Sequence, residues 1–187
     1  MTKIGIDIDG VLGDFIGQVI RVAKSKYDLE IRREQITTYD ISSSTDLTAK
    51  QVKEIVHDNE TYLPAKPLAC AAETLQTLRA NGHEVHIVTA RPEHLIGDTQ
   101  TWLANNEFSF DEFANVSGKQ KANYAKKNGI DIFVEDCLET ALDLAKVCRS
   151  VLLINTSYNQ GDTPANIIRM PDWSLIKYVM TGCGKEM

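Results

Sequence analysis

The chain has 187 residues, 43% apolar and 25% charged, enough for one hydrophobic core with a small insertion and too few for two full-sized domains. Its formal charge of −6, with no arginine-rich run or basic stripe, favours a small substrate over a nucleic-acid polymer, which is not expected as a partner. No apolar run approaches the roughly 20 residues of a membrane-spanning helix, and Met1 to Gly10 lacks the pattern of a cleaved leader, so the expected setting is the cytoplasm, away from membranes.

Lys3 to Ile8 reads as a short buried strand with Ile4, Ile6 and Ile8 on one face and Gly5, Asp7 and Asp9 on the other. Phe15 to Lys66 holds helical pieces and no strong strand. Within it, Thr48 and Gln51 offer a capping box for a helix through Val52, Ile55 and Val56, while Pro64 and Pro67 flank the return. Residues 15–66 therefore read as a small helical cap inserted into a core formed by residues 1–14 and 67–187. A helix from Leu68 to Ala80, with Gly82 at its exit, leads to a strand from Glu84 to Val88. A helix over Glu93 to Asn105, a short strand at Ala114 to Val116 and a helix from Gln120 to Lys127 come next, with Gly129 as breaker. Strand Ile130 to Val134, helix Leu138 to Val147 and strand Val151 to Ile154 complete the alternation. A last helix runs from Trp173 to Met180, and Gly182-Cys183-Gly184 is expected to fray. Alternating strands and helices predict an α/β fold with a doubly wound, parallel, Rossmann-like sheet.

Asp7-Ile8-Asp9-Gly10 places two carboxylates two positions apart where the first strand ends, facing the crevice in which open α/β sheets bind ligands. An isolated D-x-D-G more often starts a turn, but the buried strand before it favours chemistry. An EF-hand does not fit, because Gly10 follows Asp9 directly. Thr89, Ala90 and Arg91 end the second strand with a hydroxyl and backbone N–H groups suited to an anion. Lys121 lies near a helix start, where it would neutralise a transferring phosphoryl group, with Lys119 as the alternative. Glu135 and Asp136 end another strand, so four carboxylates are expected to converge and to need a cation. An all-oxygen donor set suits magnesium, and neither the widely spaced Cys70, Cys137, Cys148 and Cys183 nor His83 and His86 suggest zinc. The cysteines read as reduced thiols and the histidines as structural or exposed residues.

The order Asp7-Ile8-Asp9-Gly10-Val11, Thr89, Lys121, Glu135-Asp136 resembles the haloacid-dehalogenase-like (HAD) superfamily. Gly10 to Phe15, the helical insert, Thr89-Ala90-Arg91-Pro92 and Trp173 look like its 5′(3′)-deoxyribonucleotidase family, although Glu135-Asp136 stands where better-known nucleotidases carry paired aspartates. The resemblance implies a phosphatase in which Asp7 attacks phosphorus to form an aspartyl-phosphate, while Asp9 protonates the leaving oxygen and then activates water. Gly10, Thr89, Ala90 and Lys121 would hold phosphate, and Phe15 and Arg91 would meet the substrate, with Phe15 stacking on a base. Magnesium would bind Asp7, the Asp9 backbone carbonyl and Asp136, with Glu135 touching the ion or supporting the residues that do.

The resulting expectation is a magnesium-dependent nucleoside-monophosphate phosphatase. A sugar-phosphate or other small-metabolite phosphatase shares the chemistry, and a catalytically silent phosphate-binding regulator is the reading from another class. The acidic charge disfavours a polynucleotide-end phosphatase, and an oligomer is compatible with the sequence.

Overall fold

The computed structural model describes residues 1–182. Six parallel strands form one sheet: β1 (Lys3–Ile6), β2 (Glu84–Thr89), β3 (Glu112–Asn115), β4 (Ile132–Glu135), β5 (Ser150–Ile154) and β6 (Ile167–Met170). They lie in the order β3-β2-β1-β4-β5-β6. The order reverses between β1 and β4, where Ile4 pairs with Ile132 and Ile6 with Val134, and the crevice beyond those carboxyl ends is the natural ligand position in such a sheet.

The helices are α1 (Phe15–Tyr27), α2 (Ala49–Val56), α3 (Asn59–Tyr62), α4 (Ala71–Ala80), α5 (Ile96–Asn105), α6 (Gly118–Asn128), α7 (Leu138–Leu144) and α8 (Trp173–Thr181). One sheet face buries Ile4, Ile6, Val85 and Ile87 against Leu75 and Leu78 of α4, Leu103 of α5 and Trp173 of α8. The other buries Phe133, Val151 and Leu153 against Ala125 of α6 and Ala141 and Leu144 of α7. With both faces covered, the strands read as apolar runs.

Residues 15–66 contribute α1 to α3 and two 3₁₀ turns, with a separate apolar cluster of Ile16, Val19, Val22, Ile36, Ile41, Leu47 and Ile55. The capping box expected at Thr48 and Gln51 is present: the Thr48 hydroxyl accepts from the Gln51 N–H, and Oε1 of Gln51 accepts from the Thr48 N–H. The segment's two connections run side by side, with the Asp14 N–H bonded to the Lys66 carbonyl and the Leu68 N–H to the Leu12 carbonyl.

Several boundaries differ from expectation. β1 ends at Ile6, and although the Asp7 N–H still bonds the Val134 carbonyl, the chain then turns so that the Leu12 and Gly13 N–H groups bond the Ile8 carbonyl. The second strand extends to Thr89, and α4 begins only at Ala71, after Cys70 takes a left-handed conformation. β3 and β4 are displaced by one or two residues from the apolar runs, because pairing with β2 and β1 sets their limits. α7 stops at Leu144, three residues early. β6 was not expected: Ile167-Ile168-Arg169-Met170 is a four-residue edge strand whose Ile168 is exposed, so it carries little periodic signal. Gly182 closes α8 in the left-handed region, while residues 183 and 184 of the expected frayed end lie outside the described residues. Cys70, Cys137 and Cys148 are free thiols, and no described helix is long and apolar enough to cross a membrane.

Candidate active site

Asp7, Asp9, Lys121, Glu135 and Asp136 meet at a cavity of about 300 Å³ at the carboxyl ends of β1 and β4. Asp7 directly follows β1 and is 7% exposed. Lys121 lies in the first turn of α6, 3% exposed, with Nζ 2.8 Å from Oδ1 of Asp7 and 2.9 Å from Oε2 of Glu135. The other Glu135 oxygen accepts from the backbone N–H groups of Asp136 and Cys137. Lys119, the alternative phosphate ligand, is exposed on the rim of a neighbouring cleft.

Only three of the four expected carboxylates cluster. Oxygens of Asp7, Glu135 and Asp136 all lie within 4.8 Å of one another, whereas the Asp9 side chain is outside that group. Arg91 draws it away: Nε lies 3.0 Å from Oδ2 of Asp9 and Nη2 lies 2.7 Å from Oδ1. The guanidinium is fully buried, donates to Thr99 Oγ1, and lies 5.2 Å from the Tyr62 ring centre and 5.3 Å from that of Trp102. The expected convergence of four carboxylates on one crevice is thus observed, with a separation of the Asp9 side chain from the other three. The cause of that separation is a buried cation whose fork geometry matches one carboxylate.

Thr89 is 1% exposed and does not form part of the cavity wall, since its Oγ1 accepts from the Arg91 N–H and shapes the turn. Ala90 and Arg91 do reach the wall. Gly10 has φ +77°, and a Cβ there would fall 1.9 Å from Oδ2 of Asp136, so glycine satisfies both the left-handed backbone and the carboxylate's position. Phe15, at the start of α1, lines the cavity and tilts against Tyr62 at 5.4 Å between ring centres. The outer wall is largely apolar, with Ile16, Ile36, Ile41, Val52 and Val56. His86 is buried in β2, within hydrogen-bond distance of Glu84 and Tyr124 and away from the cavity.

Burial disfavours the charged acids. It raises the Asp7 carboxyl to about 6, with Glu135 adding to the rise and Lys121 opposing it. Asp136 is pushed well above the usual range by burial, then by Glu135 and Asp7. Asp9 is raised by burial despite Arg91. Burial alone would lower Lys121, but Asp7 and Glu135 hold it above the ordinary lysine value. Among the described residues, four acids share the site with two ion-paired cations, Lys121 and Arg91, and the three clustered acids offer hard oxygen donors. That donor set fits a divalent cation such as magnesium.

Tyr158 and Asn159 were missed at the sequence level. The Tyr158 hydroxyl donates to Oδ2 of Asp136 at 2.5 Å, and Nδ2 of Asn159 donates to the Asp136 carbonyl at 2.7 Å. Both follow the carboxyl end of β5, so the strand-end rule that selected Asp7 and Asp136 also pointed to this loop.

The parallel sheet, with its reversal at β1 and β4 and an acid–lysine–acid centre beyond those strands, defines a HAD-type phosphatase. Residues 1–180 match the family described as "5′ nucleotidase, deoxy (Pyrimidine), cytosolic type C protein", and the chain belongs to that family. It is 30% identical over 179 residues to the Bacillus subtilis protein named "Putative nucleotidase YqfW", covering 92% of this chain and 90% of that protein. A nucleotidase of Clostridium acetobutylicum is 28% identical over 172 residues, covering 91% and 89% respectively. Among solved structures, a HAD family hydrolase from Deinococcus radiodurans with bound phosphate and sodium matches with a TM-score of 0.64 and 16% identity, covering 97% of this chain and 96% of that one. The D,D-heptose 1,7-bisphosphate phosphatase from B. bronchiseptica, complexed with magnesium and phosphate, matches with a TM-score of 0.56 and 13% identity, covering 97% and 99%. These two likenesses concern the fold.

Proposed function

We propose that this phosphatase hydrolyses nucleoside monophosphates, with residues 15–66 acting as a cap that holds the nucleoside while the sheet ends hold the phosphate. The observation that carries this reading is the two-sided cavity: Asp7, Lys121 and Asp136 on the sheet side, and Phe15, Ile16, Ile36, Ile41 and Val52 on the other. A charged phosphate and a flat, weakly polar base divide in the same way. The family description and the relatives' names support a nucleotide over a sugar phosphate.

In this mechanism an Asp7 oxygen attacks phosphorus, the bond to the ester oxygen breaks, and Asp9 delivers its proton to that oxygen. Asp9 as carboxylate then takes a proton from water, whose oxygen attacks the aspartyl-phosphate, freeing Asp7 and inorganic phosphate. Arg91 orients Asp9 and favours its ionised form, while burial favours the protonated form; the net rise in its affinity for protons supports the acid role. Lys121 faces Asp7 from the side on which phosphoryl charge would gather. The residues that would hold magnesium are Asp7, Asp136 and the Asp9 backbone carbonyl, with Glu135 chiefly anchoring Lys121, and the ion supplies charge neutralisation when bound.

The test is phosphate release from nucleoside monophosphates and sugar phosphates, with magnesium and after complete chelation. Magnesium-dependent turnover strongest on nucleotides is expected. Sugar phosphates as the best substrates would transfer the cap's role to another metabolite, and undiminished turnover after chelation would remove the metal from the mechanism. Phe15→Ala should lower kcat/KM for deoxyribonucleoside monophosphates by roughly 5- to 150-fold, the equivalent of losing a stacked base, and spare a small aryl phosphate. Equal losses on both substrates together with a lower melting temperature would make Phe15 only a packing residue for α1.

A further inference from the structure

We propose that Tyr158 is a positioning residue that orients Asp136 for magnesium, and that the loop carrying it couples this orientation to the inserted segment. The proposal rests on the metal placement given above. Asp136 is the first residue after β4. One side of its carboxylate is left open by Gly10, whose missing Cβ provides the space that Oδ2 occupies. The Tyr158 hydroxyl donates to that same Oδ2 at 2.5 Å. A hydroxyl bond to a carboxylate kept ionised by a bound cation is short and strong, and it leaves the other carboxylate oxygen to face that cation.

The next residue secures the backbone of the same aspartate. Asn159 is 1% exposed, and its Nδ2 donates to the Asp136 carbonyl at 2.7 Å and to the Ile154 carbonyl at 2.6 Å. Its Oδ1 accepts from the Thr156 N–H and from Arg169 on β6, so the short turn after β5 is fixed from both sides. Two consecutive side chains therefore hold one acid, Asn159 by its carbonyl and Tyr158 by its carboxylate. The turn also reaches the insert, since Ser157 Oγ donates to the Ile36 carbonyl at 2.6 Å and the Tyr39 ring meets Tyr158 edge-on at 6.4 Å. A shift of the 36–39 segment would be transmitted to the hydroxyl that sets Asp136.

The experiment is calorimetric titration of magnesium alone into the full chain, for wild type, Tyr158→Phe and Asp136→Asn, with no substrate present. Phenylalanine keeps the ring contact with Tyr39 and removes only the donor. Magnesium affinity of Tyr158→Phe should fall roughly 10- to 100-fold, the usual loss when a partner of a metal ligand is deleted, while its melting temperature in chelator stays near wild type. Affinity within about twofold of wild type, alongside a large loss in Asp136→Asn, would overturn the role of Tyr158 and leave the metal placement standing. Wild-type affinity in Asp136→Asn would overturn the metal placement and this proposal with it. A Tyr158→Phe enzyme whose only defect is a raised KM would assign the hydroxyl to substrate and also overturn the proposal.

Discussion

Asp7→Asn is expected to reduce phosphate release by roughly 10⁴-fold or more, and at the same time to make the metal-free protein more stable near neutral pH. The first effect follows from the role proposed for Asp7, because an amide of the same shape cannot form the acyl-phosphate. The second follows from its surroundings. Burial raises its folded pKa from 3.8 to about 6, so the ionised side chain destabilises the folded state. By linkage, a raised carboxyl contributes stability that is fully present below the unfolded value and is lost as pH rises through the folded value. Asparagine mimics the neutral acid, so the variant should gain stability above pH 6 relative to pH 4, less what Lys121 loses with its charged partner. Calorimetry in chelator at both pH values, with a phosphate-release assay beside it, checks both effects. Retained turnover would reassign the nucleophile, and a melting temperature unchanged at neutral pH would mean that the Asp7 charge is compensated in the folded protein.

Lys121→Met should be damaging in both respects. Its ammonium is the cation that bridges Asp7 and Glu135, and its removal leaves two buried acids without compensation. Breaking a buried pair from one side typically costs about 3–5 kcal/mol, for a chain of this size a fall in melting temperature of roughly 6–20 °C. The loss should be greater at pH 8 than at pH 5, because without Lys121 the folded pKa of Asp7 rises further and its carboxyl is stable in the fold only while protonated. Adding Asp7→Asn should restore part of the stability and none of the activity, which separates charge balance from catalysis in a double-mutant cycle. A single Lys121→Met variant as stable as wild type at pH 8 would show that solvent or another cation compensates the acids.

The sheet was legible because Ile4, Ile6 and Ile8 alternate with Gly5, Asp7 and Asp9, and two carboxylates at the end of a buried strand have no packing role. Gly129 marked the end of α6 for a similarly local reason, adopting the left-handed conformation that closes a helix. β6 escaped detection because a half-buried, four-residue edge strand containing Arg169 owes its structure to pairing with β5. The choice between Lys119 and Lys121 was equally hidden. Two residues along a helix rotate a side chain by about 200°, so the outcome depended on where α6 begins and how it lies on the sheet.

By itself the sequence determined the chemistry available, namely Asp7 and Asp9 after the first strand, Glu135 and Asp136 after a later one, lysines at a helix start and helical pieces between residues 15 and 66. Local periodicity and residue type suffice for this, since both are written within a few consecutive positions. Tertiary structure alone decided the partners. It turned Asp9 to Arg91, 82 residues away, placed Lys121 between Asp7 and Glu135, and brought the Tyr158 hydroxyl to Asp136. Those pairings depend on strand order and on the space left at Gly10, and such distances are set when the sheet and its helices pack.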